Sequence, residues 1–564
     1  MISVSGKKWI EQKVNKNSVE KIKQDFNYSE ILSRLIISRK FEPSEINNID
    51  NNLKVSNIFR NNKDFIKATN LASESIKDKE NICILGDYDV DGSAATSLLV
   101  RFFKYINQPY FYYIPDRVSD GYGASKKLFQ KLILKKPNLV ILVDCGSTSH
   151  EAIEFLNQNN IKSIVIDHHE INKPYPKSNI IVNPKKDNGY LEYDYLCATA
   201  LTYFFLEMLI KKIKSNFKIS DLLIYVLLAT ICDVMPLRKL NKIIASNVLK
   251  NFKINKYIAL ESLLKISGTS KSLETDDLGY LIGPIINAGG RLGYSKLGVE
   301  LLTSNDPNIV KLKSHKLFDL NNKRKKIEKN ILEEIDFKKI EIQNKNIIIY
   351  YNPNINEGLI GIIAARLKEY FNKPSIVITK SNNILKASAR STNSYNIGHV
   401  VKVLKDKKII EKGGGHNMAA GFTIKKDNIK ILDSFIQKDF SNKTHSSDLT
   451  FKYDLELSSS AINNTLNTDI KKLGPFGNFN PLPTFLFKNF KIIKTTILDN
   501  KHVSAILKPS TGRCVKAICF NCMISNIGKY LLTNKKNINV IGQIHENIWN
   551  NKKSIQLNIK DILI

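Results

Sequence analysis

Residues 82–92 read Ile-Cys-Ile-Leu-Gly-Asp-Tyr-Asp-Val-Asp-Gly, an apolar run that passes through one glycine into three alternating acids. Ile82 to Leu85 has the length and composition of a buried strand in an α/β sheet. Two further runs end in the same way: Leu139 to Val143 leads into Asp144-Cys145-Gly146, and Ile164 to Ile166 into Asp167-His168-His169. Ligand sites in open α/β sheets lie at the carboxyl ends of the strands, so the three clusters are expected to converge. Aspartate and histidine gathered there suit a hard or borderline divalent cation such as Mn2+ or Mg2+.

A single aspartate after a strand is ordinarily the N-cap of the next helix, and Asp91 or Asp144 taken alone fits that role. Three acids alternating from position 87 to 91 repel one another unless a cation neutralises them, which favours a metal site. The apolar segment Leu222 to Ile231 reads as a buried helix, far short of the ~20 residues that a bilayer needs. It ends in Cys232-Asp233-Val234-Met235-Pro236. A carboxylate just beyond a core helix is costly without a partner, and metal ligation would compensate Asp233.

In order, Asp87-Tyr88-Asp89-Val90-Asp91-Gly92, Pro115-Asp116-Arg117, Asp120-Gly121-Tyr122-Gly123, Val143-Asp144-Cys145-Gly146, Asp167-His168-His169 and Asp233 resemble the DHH phosphoesterase superfamily. Asn287-Ala288-Gly289-Gly290-Arg291-Leu292-Gly293, Glu357-Gly358-Leu359-Ile360-Gly361-Ile362, Ser388-Ala389-Arg390 and Gly413-Gly414-Gly415-His416 are similar to its RecJ branch, bacterial single-strand-specific 5′ to 3′ DNA exonucleases. The resemblance runs from about residue 50 to the C-terminus. It implies two Mn2+ or Mg2+ ions and a catalytic set of Asp89, Asp91, Asp144, His168, His169 and Asp233. Asp89, Asp91, Asp144, His168 and Asp233 would be the metal ligands, with Asp144 bridging and Asp87 a further ligand. His169 would contact the phosphate.

Substrate binding is expected from His169, Asn287, Arg291, Ser388, Arg390, Gly414, Gly415 and His416. Glycine-rich turns let backbone approach a phosphate, and guanidinium groups bind its oxygens in a fork. The third glycine before His416 reads as tolerated drift. Cys145 stands where the family often has Asn. Tyr122, Phe476, Phe479 and Trp549 are aromatics able to stack on bases, although core or turn roles are commoner for any one of them.

The fold expected is α/β: a DHH-type parallel-sheet catalytic domain, a DHHA1-type α/β domain and a C-terminal OB-fold β-barrel. A helical N-terminal segment, residues 1–60, is expected to pack on the catalytic domain at 61–265. A helical connector follows at 266–340, with Asn322-Lys323-Arg324-Lys325-Lys326, a basic run that is more often a solvated face than a binding site but between two catalytic lobes could line a nucleic-acid groove. The DHHA1-type substrate-binding domain is placed at 341–440. Short β-runs between turn residues after Ser446 suggest the barrel, a nucleic-acid-binding domain at 446–564.

The chain has 564 residues and a formal charge of +32, which favours a polyanionic partner. Its abundance of Lys, Asn and Ile is also the drift of an AT-rich genome, so charge alone decides little. Seven scattered cysteines make no disulfide framework, and Cys519-Phe520-Asn521-Cys522 lacks a second pair at zinc-finger spacing. The start lacks a signal peptide's apolar core, and no membrane span appears, so a cytoplasmic protein is expected. The resemblance implies single-stranded DNA as partner, a single-strand-binding protein and a RecQ-type helicase as associates, a monomer, and service in DNA repair and recombination. Two alternatives stay open: a phosphodiesterase or pyrophosphatase for short substrates, and a non-catalytic DNA clamp.

Overall fold

The computed structural model describes residues 3–51, 53–116, 120–121, 123–186, 190–269, 273–381, 383–443, 450–523, 525–533, 537–549 and 552–563. They form two compact units: 56–235 with 248–445, and 1–55 with 236–247 and 446–564.

The first unit carries a five-stranded parallel sheet in the order Tyr110–Tyr113, Ile82–Leu85, Leu139–Val143, Lys162–Ile166, Ile180–Val182. Every residue of Ile82–Leu85 and Leu139–Val143 is buried, as continuous apolar runs in a parallel sheet require. The helices Val90–Tyr105, Ala198–Lys212 and Leu223–Cys232 are buried along most of their length. They are core helices, apolar on nearly every side. A π-helical turn, Asp277–Ile282, runs directly into the helix Gly283–Arg291.

The connector is the helix Pro307–Glu334. Lys323, Lys325 and Lys326 are exposed as expected, but Arg324 turns inward and pairs with Glu328 at 2.8 Å, so the basic run is split between surface and core. A second five-stranded sheet follows, ordered Lys412–His416, Ala419–Ile424, Ile384–Arg390, Ser375–Ser381, Ile348–Tyr351. Its last two strands are parallel and the others antiparallel.

In the other unit, Phe485–Leu498 pairs with both His502–Pro509 and Asn537–Trp549. Val515–Cys519 and Lys552–Leu563 complete the ring, so the sheet closes into a five-stranded barrel. Closure removes the free edges. Tyr28, Leu32, Leu35 and Ile36 share a core cluster with Phe485, Phe487, Phe490 and Leu557, so the N-terminal helices pack on the barrel. The helix Pro43–Asp50 also meets the segment 236–247, where Glu45 pairs with Arg238 at 2.6 Å. Buried Asp561 fastens the arrangement, accepting from Ser3 Oγ at 2.7 Å and Trp9 Nε1 at 2.8 Å. Among the described residues no helix is long and apolar enough to cross a membrane.

Candidate metal centre and substrate face

Beyond Leu85 the chain folds back on the first turn of the next helix, and only glycine permits the approach. A Cβ on Gly92 would meet the Asp87 backbone at 2.5 Å. Asp89 caps the helix Val90–Tyr105, accepting from Gly92 N at 3.0 Å. Asp91, in the first turn, is buried and accepts from Ala198 N and Thr199 N at 2.8 Å each and from Thr199 Oγ1 at 2.6 Å. The N-terminus of Ala198–Lys212 therefore holds this carboxylate in place. Burial, with Asp89 beside it, pushes Asp91 up to about 6.

Asp144 ends the strand Leu139–Val143 with a φ of 61°, in the left-handed region that favours glycine. Both its carboxylate oxygens are buried and, among the described residues, neither has a hydrogen-bond partner. His168 Nε2 lies 3.3 Å from Asp144 Oδ1, 3.4 Å from Asp233 Oδ2 and 3.6 Å from Asp91 Oδ2. Burial, followed by the charges of Asp91, Asp89, Asp87 and Asp233, pushes the Asp144 carboxyl far above its ordinary range. Asp233, just past Leu223–Cys232, is raised by burial and then by Asp91 and Asp89. Burial, then neighbouring His169, pushes His168 down, leaving a neutral imidazole.

Asp167 plays a different part. It accepts from Ser147 N at 3.0 Å, His168 N at 2.8 Å, His169 N at 3.2 Å and His169 Nδ1 at 2.8 Å. Burial alone would raise its carboxyl, but His169 and these donors hold it far below the usual range. For His169, burial works downward and Asp167 upward, and the net result is a ring pushed up to about 10.

Three overlapping groups each have their ligand atoms within 4.8 Å of one another: Asp87, Asp89 and Asp144; Asp91, His168 and Asp233; Asp144, His168 and His169. The donors are oxygen and imidazole nitrogen without thiolate, the set that suits Mn2+ or Mg2+. Orphaned oxygens on Asp144 and mutual repulsion among the acids are what bound cations relieve. Cys145 points away, its Sγ 3.8 Å from Leu85 O.

The residues expected to hold substrate, His169 apart, lie on the helix Gly283–Arg291 and on the second sheet. Gly290 rests on Tyr88, where a Cβ would meet its carbonyl oxygen at 2.5 Å, so the last turn of the helix Gly283–Arg291 lies against the aspartate loop. Arg291 Nη1 donates to Gly358 O at 3.0 Å. Arg390 Nη1 donates to Ser388 Oγ at 3.3 Å and Ala389 O at 2.9 Å. His416 faces His169 with ring centroids 6.3 Å apart and planes 26° from parallel. A Cβ on Gly414 would meet nothing within 4 Å, whereas one on Gly415 would meet Ala419 O at 2.4 Å. Gly413 is not drift: a Cβ there would meet Phe422, Ile410 and Val401 at 2.8 to 2.9 Å.

Arg117 and Tyr122 lie outside the described residues, as does the Trp549 side chain. Phe476 packs against the barrel core, while Phe479 is exposed. Asp120 closes its own loop, accepting from Tyr113 Oη at 2.8 Å and Asp116 N at 3.0 Å. Several contributors carry no local signal in the sequence. Thr199 braces Asp91, and Asn183 joins Ser147 Oγ at 2.8 Å to His169 O at 2.9 Å. Lys185 and Glu170 meet at 3.0 Å beside the histidine pair.

Acids and histidines at the ends of a parallel sheet, facing a glycine-rich hairpin from a second sheet, define a DHH-type phosphoesterase architecture. Residues 81–230 match the model of the DHH family, N-terminal domain, residues 344–442 that of the DHHA1 domain, and residues 453–561 that of the RecJ OB domain. The chain belongs to the RecJ family. It is 30% identical over 484 residues to the single-stranded-DNA-specific exonuclease RecJ of Haemophilus influenzae, covering 81% of this chain and 83% of that protein. The Bacillus subtilis protein of the same name is 25% identical over 569 residues, covering 99% of this chain and 71% of its own length. In fold, the chain is similar to the crystal structure of RecJ from Thermus thermophilus in complex with Mn2+. The TM-score is 0.83 at 21% identity, over 99% of this chain and 79% of that one.

Proposed function

We propose that this chain is a Mn2+- or Mg2+-dependent exonuclease that degrades single-stranded DNA from its 5′ end to mononucleotides in DNA repair and recombination. The metal-dependent chemistry rests on one observation above all: three strand-end clusters meet around Asp144, whose two buried oxygens have no hydrogen-bond partner. Membership of the RecJ family supports the substrate, and the 5′ polarity rests on the resemblance to its motifs. When bound, two such ions neutralise phosphate charge, lower the pKa of water and stabilise attacking and leaving oxygens.

Asp87 and Asp89 would hold one ion and Asp91, His168 and Asp233 the other, with Asp144 between them. His168, kept neutral by burial, has a lone pair to offer. Asp167 fixes the His169 ring, and a ring so fixed and so basic donates to a phosphate oxygen instead of ligating. Arg291, Arg390, Ser388, Asn287, His416 and the open backbone at Gly414 and Gly415 would bind the strand. The barrel argues for a polymer over a dinucleotide or pyrophosphate, since such barrels bind single strands. Every acid and histidine of the expected ligand set is present, which disfavours a non-catalytic clamp. A cytoplasmic monomer that works with a single-strand-binding protein and a RecQ-type helicase belongs to the same proposal and rests on the resemblance alone.

The test is a time course with Mn2+ on long single-stranded DNA labelled at either end, with a duplex control and Asp144→Ala in parallel. Early release of the 5′ label as mononucleotide, absent in duplex and variant, is expected. Near-normal turnover by Asp144→Ala would sink the ligand assignment. Hydrolysis of dinucleotides with none of long strands would turn the proposal to a short-substrate enzyme.

A further inference from the structure

Glu170 directly follows the histidine pair, and its carboxylate joins two parts of the catalytic unit that the sequence keeps far apart. Its Oε1 lies 3.0 Å from Lys185 Nζ and 3.7 Å from His416 Nδ1. The second separation is an ion-pair contact, longer than a hydrogen bond. Lys185 comes from the loop after Ile180–Val182, and His416 from the hairpin of the second sheet.

His416 needs an orienting partner. Its backbone is fixed, because Gly398 packs against the His416 and Gly415 carbonyls, where a Cβ would meet oxygen at 2.7 and 2.9 Å. Its side chain is half exposed, and an exposed imidazole samples several rotamers and both neutral tautomers. Among the described residues, Glu170 is the one carboxylate in ion-pair contact with that ring. Lys185 holds the same oxygen from the other side, which limits where the carboxylate can go. The Glu170 backbone is constrained as well, since the preceding carbonyl, His169 O, accepts from Asn183 Nδ2 at 2.9 Å.

We propose that Glu170 is a positioning residue for the exonuclease reaction. By holding Nδ1 of His416, it leaves Nε2 of that ring for the substrate phosphate and keeps the imidazole stacked over His169. The logic is that of a carboxylate that orients a working histidine through its second nitrogen. The placement rests on the exonuclease assignment above. A contact between half-exposed polar groups contributes little to stability, so the role shows in kinetics and binding and not in melting.

A double-mutant cycle on the full chain reads it. Glu170→Ala should lower kcat/KM on single-stranded DNA about tenfold, within the range seen for coupled side chains. Glu170→Gln, which keeps a polar oxygen beside Nδ1, should keep most of the activity. In a His416→Ala background, Glu170→Ala should cost less than about twofold, because the ring it positions is gone. The same cycle is read without turnover by fluorescence anisotropy of a labelled oligothymidylate in EDTA. Equal losses in both backgrounds, or no loss in either, would overturn the positioning role. Should the wild-type protein bind this strand without degrading it, the exonuclease proposal fails, while the binding cycle still decides for or against Glu170.

Discussion

Asp144 concentrates the conflict on which the site is built. Its backbone occupies the left-handed region, its oxygens lack donors, and four other aspartates raise its pKa after burial has done so. Asn fits that backbone conformation well and removes the charge, so Asp144→Asn separates the function of the carboxylate from its cost. In chelator the variant should melt about 2 °C higher than wild type, since a buried, repelled charge is gone. Titration with Mn2+ should reverse the order. Ligand at a hundredfold over Kd stabilises by about 2.7 kcal/mol, and the variant should lose most of that gain. Its nuclease activity should fall by more than ~100-fold. A second buried charge tests pH. Lys242 Nζ is buried with no hydrogen-bond partner among the described residues, 4.2 Å from the centroid of the Phe41 ring. Burial lowers its pKa to about 8, with Glu45 opposing and Arg238 and Arg39 assisting. The folded protein thus releases this proton before the unfolded chain does. The penalty is complete below about pH 8 and fades as pH rises towards 10.5. Lys242→Met should stabilise by about 2 kcal/mol at pH 7, after allowance for the lost cation–π contact. Its melting temperature should converge with that of wild type near pH 10.5. A constant offset across that range would show that the ammonium is not the cause.

Glycines decide how closely the elements around the site approach. Gly92 lies on Asp87, Gly290 on Tyr88, Gly358 on Arg291 and Gly398 on His416, each where a Cβ would fall within 3 Å of backbone. The hairpin Lys412–His416 and Ala419–Ile424 separates two roles for this residue. Gly415→Ala must displace Ala419 or Ala420 and should destabilise by roughly 1 to 3 kcal/mol. Gly414→Ala meets no protein atom, so its melting temperature should hold while KM rises if the strand passes over this backbone. Equal KM for Gly414→Ala and wild type would remove Gly414 from the substrate face. The sequence shows these elements unevenly. Ile82–Leu85 and Leu139–Val143 are legible because both faces of each strand are buried and the run is purely apolar. Tyr110–Tyr113 and Ile180–Val182 are not: one is an edge strand of half-buried aromatics and the other has three residues. The acids and histidines at strand ends carry their own signal, whereas Thr199, Asn183 and Lys185 reach the site only through tertiary packing that no local pattern encodes.

The packing of the N-terminal helices on the barrel is hidden for the same reason at longer range. Tyr28, Leu32 and Leu35 advertise an amphipathic surface, but nothing in their spacing says that the matching surface lies more than four hundred residues away, on the barrel. Net charge raises the opposite difficulty, because it is plain in the sequence and ambiguous in meaning. The chain carries 85 Lys and Arg against 53 Asp and Glu. If genome drift placed most of these cations, they lie scattered over the surface and few touch a bound strand. Salt dependence counts the ones that do, since the logarithm of affinity falls by about 0.7 per neutralised phosphate of a single strand for each logarithmic unit of salt. Arg291 and Arg390 are the arginines expected to hold phosphate, and Lys185 meets Glu170 beside the histidine pair. Three such contacts give a slope of about −2 for a short oligonucleotide. A long strand that also engages the barrel should give a steeper slope, and the difference counts the cations that the barrel contributes. Arg390→Ala should flatten the short-strand slope by about 0.7, whereas Lys329→Ala, on the exposed face of the connector helix, should leave it unchanged. Equal slopes for short and long strands would mean that the barrel's lysines are drift and that the catalytic unit alone holds the DNA.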